Sequence, residues 1–446
     1  MDARSLRHFS LGRLRRGGTP LLSLRWVTII VSWFGGPIMS HNLFWLYTIR
    51  AFRSFTTAFL TVAFPLYLAV GGYSAARIGW TLTFSGVLTA GLVVAVGFGG
   101  DLWGRRTIII LLGLLSVVGA GLLSWTDALW VVVLASGLGG VGRGGGAGSG
   151  GSWGPVFPAE QPLLAASVTA ERRTEAFGRI SFIGVMAGAL GSLVAGLPAV
   201  LHRHGWAWLP SYHVLFALAA VISLIMVVAS FSLRETPPSK KPAEDTANAP
   251  PISPWQLIRR LSLTNALNGL GFGFLGPLLT YWFYRRYHVG PGELAILYAL
   301  INLVSAIPYL GAAKLSARFG SVRTVTVTRS LGLLMLLGMV WAPTFAWAGV
   351  AYALRMAFNS LGMPARQSFT MAVSNDRYRS RISAFSQLPS QVTSMISPAI
   401  GGSLMDAFLN VPIFGAVVFM GANVVAYWFA FRNVTPPEEQ KQVLTS

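Results

Sequence analysis

Apolar runs of about twenty residues recur from Leu43 to Asn433, separated by short polar or glycine-rich turns, and a helix of that length crosses roughly 30 Å of hydrocarbon. The pattern predicts twelve spans. Six lie at 46–69, 78–98, 107–125, 128–149, 179–201 and 212–232, and six more at 262–284, 292–313, 324–342, 345–365, 382–405 and 412–431. Between the two sets, the polar stretch Thr236 to Asp245 is rich in proline, lysine and acidic residues, a composition that stays extended and solvated. The domain plan is therefore a bundle over 43–232, a linker over 233–258, a second bundle over 259–432 and a tail over 433–446. The fold class is an all-α polytopic membrane protein.

Residues 1–42 stand outside this pattern. Arg4, Arg7, Arg13, Arg15, Arg16 and Arg25 lead into an apolar run from Trp26 to Met39 that is broken by Gly35-Gly36-Pro37 and has no small-residue cleavage site. Two accounts stand side by side: an interfacial helix, or translation that begins at Met39.

Composition closes off other classes. With 53% hydrophobic and 11% charged residues, a soluble chain is excluded. The absence of cysteine removes disulfides, thiol nucleophiles and thiolate metal sites, and no histidine cluster or nucleophile with a nearby base points to an enzyme, a metal or a cofactor. A net charge of +20 would suggest nucleic acid in a soluble protein, but here the basic residues sort by membrane side. With both termini inside, 27 of the 34 Lys and Arg fall on the cytoplasmic side and four, Arg77, Arg203, Arg285 and Arg286, on the other. That asymmetry follows the positive-inside rule and places the chain in the cell membrane, with anionic lipid headgroups as partners and no nucleic acid.

Three correspondences give the chain a repeat. The bridge between spans 2 and 3 reads Gly97-Phe-Gly-Gly-Asp101-Leu-Trp-Gly104-Arg105-Arg106, where glycines permit a tight turn and Asp101 has helix N-termini or arginines to accept from. The stretch Lys314 to Arg323 corresponds to it, with Ala317 where Asp101 stands. Pro158-Ala-Glu160-Gln likewise matches Pro364-Ala-Arg366-Gln, and Phe64-Pro65-Leu66 matches Gly276-Pro277-Leu278. Related halves are the mark of a transporter built from repeats around a midplane site.

This loop motif, the twelve spans, the linker and the degenerate second copy together resemble the major facilitator superfamily of secondary transporters over Leu43 to Asn433. The resemblance implies two pseudo-symmetric six-helix bundles that rock about a central cavity lined by helices 1, 4, 7 and 10. The family's antiporter motif is matched only in part. Ala189 replaces its proline among Gly184, Gly188 and Gly191, and Ser397-Pro398-Ala-Ile-Gly401-Gly402 keeps the proline in the other half.

Charges inside spans are costly and mark candidate sites. Arg355, with Asn359 one turn on, and Arg143 in the glycine-rich run of span 4 face each other as candidates for an anionic substrate group. The same glycines predict close packing and a break in helix 4, and the run lacks the ending of a phosphate-binding loop. Asn268, Tyr281, Asn302 and Tyr309 complete a polar cavity list. Arg50 and Arg53 read as snorkelling to the inner surface, and Arg329 similarly. Glu160 and Arg366, opposite in charge at equivalent positions, are expected to form a gate pair when the inner side closes. No carboxylate lies centrally in any span, so a proton carrier is not evident.

The reading that results is a monomeric alternating-access transporter of small organic solutes, with proton-coupled export of drug-like compounds as one course. An organic anion or organophosphate exchanger using the intramembrane arginines is the alternative. A non-transporting sensor of the same fold is the alternative of another class.

Overall fold

The computed structural model describes residues 40–141, 155–156, 159–160, 163–164, 167, 173–234, 254–276, 278–373 and 379–434. Among them are fourteen α-helices and no strand. The first half holds α1 (His41–Val70), α2 (Ala75–Leu102), α3 (Arg105–Leu123), α4 (Leu129–Gly139), α5 (Arg173–Val194), α6 (Leu197–Arg203) and α7 (Trp208–Ser230). The second holds α8 (Pro254–Leu275), α9 (Leu279–Tyr287), α10 (Pro291–Phe319), α11 (Ser321–Val340), α12 (Phe345–Val373), α13 (Arg379–Met405) and α14 (Val411–Phe431).

Each predicted span is present as a helix or a helix pair, and the pairs have local causes. The span at 179–201 breaks between α5 and α6, where Pro198 opens the new helix. The span at 262–284 breaks between α8 and α9, at Gly276-Pro277. Span 4 ends as α4 at Gly139 because Gly140 adopts a left-handed φ of 63°, a C-cap that costs other residues strain. Residues 142–154, and with them Arg143, lie outside the described residues.

Seven described helical stretches are long and apolar enough to span by length and composition alone: α1, α3, Gly178–Arg203, α7, Pro291–Tyr309, α11 and α14. The helices α12 and α13 are equally long but more polar. They bury serines, threonines and glycines against other helices, so they need not be uniformly apolar. Tight packing replaces hydropathy along such faces.

The loop motif corrects one expectation. Gly97, Gly99 and Gly100 continue α2 as helix, and only Gly104 takes the unusual backbone, φ 84° and ψ 150°. Gly320, between α10 and α11, adopts φ 79° and ψ 151°. The two halves therefore repeat this turn at backbone level, in a region that glycine alone enters without strain. The end of the molecule carrying Gly104 and Gly320 is termed the motif end, and the opposite one the far end.

The core is distributed unequally between these ends. At the far end one apolar cluster runs through both halves, joining Phe64, Leu66 and Leu82 to Leu278, Trp282, Leu294 and Tyr298. Toward the motif end it divides. One cluster, with Leu46, Ile109, Leu163 and Ile180, belongs to the first half, and another, with Leu257, Val325, Phe369 and Phe431, to the second.

Two helix pairs make the far-end seam, α2 against α13 and α5 against α10. A Cβ on Gly79 would stand 2.2 Å from the Pro398 carbonyl oxygen, and one on Gly402 would stand 2.4 Å from that of Ala75, so α2 and α13 touch backbone to backbone. Between α5 and α10, Asn302 Nδ2 donates to Ser192 Oγ at 3.1 Å and to the Tyr298 carbonyl at 2.9 Å. Asn302 is thus buried in the seam, and Tyr281 is buried in the far-end cluster.

Also at the far end, Asp127 in the turn between α3 and α4 accepts from Tyr67 Oη at 2.7 Å and from His213 Nε2 at 2.9 Å. Desolvation pushes its pKa up, but the two hydrogen bonds prevail and hold the carboxyl below its ordinary range. A depressed folded-state pKa contributes stability above the unfolded value, and that contribution disappears as pH falls through the folded one. Asp127→Asn should therefore melt below the wild type at pH 7, and the gap should close below pH 3.8, the ordinary value. A gap unchanged with pH in thermal unfolding of the two purified proteins would show that the charge is not what stabilises this turn.

Candidate functional site

Five arginines, Arg50, Arg53, Arg329, Arg355 and Arg366, sit within the bodies of spanning helices. Among the described residues Glu160 is the one buried carboxylate.

Arg50 and Arg53 lie one turn apart on α1, so both face the segment that carries Glu160. Arg50 Nη1 donates to Glu160 Oε2 at 3.1 Å, and Arg53 Nη2 donates to the same oxygen. The Arg50 side chain is 1% exposed and that of Glu160 is 3%. The snorkelling expectation is overturned: a carboxylate within reach holds both guanidiniums inside, where two cations and one anion leave one net positive charge.

The second half repeats the arrangement with its polarity changed. Arg53 lies twelve residues before Pro65, and Asn265 twelve before Pro277; Glu160 and Arg366 each follow their proline by two. In space Arg366 Nη2 donates to Asn265 Oδ1. The contact of Arg53 with Glu160 thus has as counterpart an α8 to α12 contact in which α12 supplies the cation and α8 a neutral amide. The signal was present in the two proline alignments; what was missing was the depth of α1 relative to its partner.

Arg329 also departs from the snorkelling reading. Its guanidinium donates to Asn423 Oδ1 on α14, whose Nδ2 donates in turn to the Thr264 carbonyl on α8 at 2.5 Å. Arg355 is half-buried and meets no carboxylate among the described residues. Its Nη atoms lie 3.3 and 3.4 Å from the Met356 and Met420 sulfurs, and its guanidinium carbon 5.6 Å from the Tyr352 ring centroid. It is therefore turned toward α14, with Asn359 half-buried one turn on. Asn268 on α8 is half-buried. Tyr309 on α10 lies beside Ser360 and within electrostatic reach of Arg50.

No ion pair joins Glu160 to Arg366 in this conformation, since each has another partner. A cavity of about 70 Å³ adjoins the cluster inside the first half, between α1, α3, α4 and α7. Arg53, Thr56, Thr57, Ser116 and Ser223 supply its polar side chains. For the loop motif, Arg106 Nη2 donates to the Phe231 carbonyl at 2.6 Å, tying the start of α3 to the end of α7. The Asp101 side chain lies outside the described residues.

Two six-helix repeats, joined by one core at the far end and packed separately at the other, with guanidiniums buried in helix bodies, have the architecture of a membrane secondary transporter. The chain belongs to the Major Facilitator Superfamily, whose family model matches residues 43–358 and again 261–445. Among solved structures it is similar to a bacterial homolog of the human lysosomal transporter Spinster in an inward-facing, unoccupied conformation. The two share 16% identity over 89% of this chain and 96% of that one, with a TM-score of 0.64. It is also similar to the human organic anion transporter MFSD10, at 14% identity over 87% and 99% of the two chains with a TM-score of 0.61. The nucleoside transporter NupG matches at 12% identity over 88% and 99%, with a TM-score of 0.61. At such identities the likeness concerns the fold alone. No curated protein matches the sequence.

Proposed function

We propose that this protein carries small organic solutes bearing a negative charge across the cell membrane by alternating access. The observation that carries this reading is the imbalance of charge inside the helical body, five guanidiniums against one buried carboxylate. In a low-dielectric interior such an excess repels cations and draws anions. Planar guanidiniums also match carboxylate and phosphate groups. The positive-inside distribution makes the motif end cytoplasmic, so the divided core there corresponds to an inward-facing state, with both termini inside.

Proton-coupled export of drug-like compounds is the second reading, favoured by the burial of Glu160 between two arginines. On either reading, closing the inner side requires Glu160 to approach Arg366, and the two form the gate pair in that state. Arg366→Gln, which spares the Glu160 cluster on α1, should then slow transport, and unchanged transport would leave Glu160 to α1 alone.

Counterflow in proteoliposomes separates the substrate readings. Organic anions should exchange, with external label entering faster when unlabelled anion is inside, and organic cations should not. Movement of cations or neutral compounds driven by an imposed pH gradient, without anion exchange, would overturn the anion reading in favour of the exporter.

A further inference from the structure

At the far end of the seam, α2 begins at Ala75 with its first amides pointing toward the second half. A helix N-terminus leaves four N–H groups without intrahelical partners and carries a partial positive charge. Here Ser74 serves one of them, its Oγ lying 3.4 Å from Arg77 N, while its carbonyl accepts the first bond of the helix from Ile78 N at 2.9 Å. Two more of these amides are served from the opposite bundle. Asp406, just past the end of α13, accepts from Ala75 N at 2.9 Å through Oδ1 and from Ala76 N at 3.0 Å through Oδ2. One helical level deeper, Ala399 N on α13 donates to Thr83 Oγ1 on α2 at 3.0 Å. Between those levels Gly79 and Gly402 allow the two backbones to touch.

We propose that Asp406 is a latch that sets how far the transporter favours the state closed at the far end. Its two charge-assisted bonds join a carboxylate of one half to a helix terminus of the other, so they form only when α2 and α13 are together. Opening the far end must break both, returning the carboxylate and two amides to water. The glycine contact adds shape but no direction, whereas the carboxylate contact fixes the register of α13 against α2. Asp406 therefore acts on the alternation itself, whatever the solute, and independently of the anion reading above.

The protein contains no cysteine, so spin labels can be placed at will. One pair, Arg203→Cys with Arg286→Cys, reports the far end across the two halves; another, Trp103→Cys with Phe319→Cys, reports the motif end. All four positions are exposed. By double electron–electron resonance, Asp406→Asn should raise the ratio of far-end-open to far-end-closed molecules by about tenfold, the scale of a charged contact at a helix terminus. The motif-end distance should shorten in the same molecules, a reciprocal change that unfolding does not produce. Ser74→Ala, which removes a cap within the first half, should leave both distributions in place. Unchanged distances in Asp406→Asn, or an equal shift in Ser74→Ala, would overturn the latch.

Discussion

Glu160→Gln should cost the folded protein about 3–5 kcal/mol, the usual consequence of removing one partner from a buried ion pair. The geometry makes the effect large. Arg50 and Arg53 share the single oxygen Oε2, and their side chains are 1% and 10% exposed. Both lie on α1, which is buried along most of its length. With glutamine in place, two like charges remain close together without the carboxylate they now share. Purified Glu160→Gln should lose monodispersity at a markedly lower temperature than the wild type. Arg53→Gln in the same background should recover part of the loss, because it removes one of the stranded charges. Effects of the two substitutions that simply add would mean that the pair is not coupled. Arg355→Gln is the control, since its partners are thioethers and a tyrosine ring and no carboxylate is left behind.

The second large effect is expected at Gly79. Alanine there would place its Cβ 2.2 Å from the Pro398 oxygen, a clash with backbone that no rotamer relieves. Overpacking of this kind typically costs 1–3 kcal/mol. Because the contact is between halves, the cost falls on the far-end-closed state and not on either bundle. Gly79→Ala should therefore expose the far-end interior while the protein stays folded. Leu278, fully buried in the cluster shared by both halves, offers a reporter. A cysteine introduced there should react with maleimide in Gly79→Ala and stay protected in the parent. Gly191→Ala makes the contrast. Its Cβ would lie 2.1 Å from the Phe55 oxygen, but that contact is within the first half, so thermal stability should fall without selective exposure at Leu278. Protection of the reporter in Gly79→Ala would mean that the seam absorbs the methyl by local adjustment.

The fold was legible to a great extent because membrane helices obey strong local constraints: backbone groups must be satisfied within each span, and apolar length must match the bilayer. That logic located all twelve spans and the repeat, and glycine and proline chemistry explains where α4, α5 and α8 end. Charge placement was less legible. Arg50, Arg53 and Arg329 each look from the chain like residues near an inner surface, and each is instead held by a polar side chain on another helix. Asn302 reads as a cavity residue and is part of a seam.

The sequence by itself determined the class, the span count, the repeat and the side that carries the basic residues, because periodicity, length and charge asymmetry are properties of neighbours along the chain. Only the tertiary structure decided which half each buried charge answers to, which end the common core seals, and that Asp406 caps a helix 331 residues away. Those are matters of depth and facing between helices. A rotation of one residue, about 100°, turns a side chain from lipid to partner without altering hydropathy or spacing.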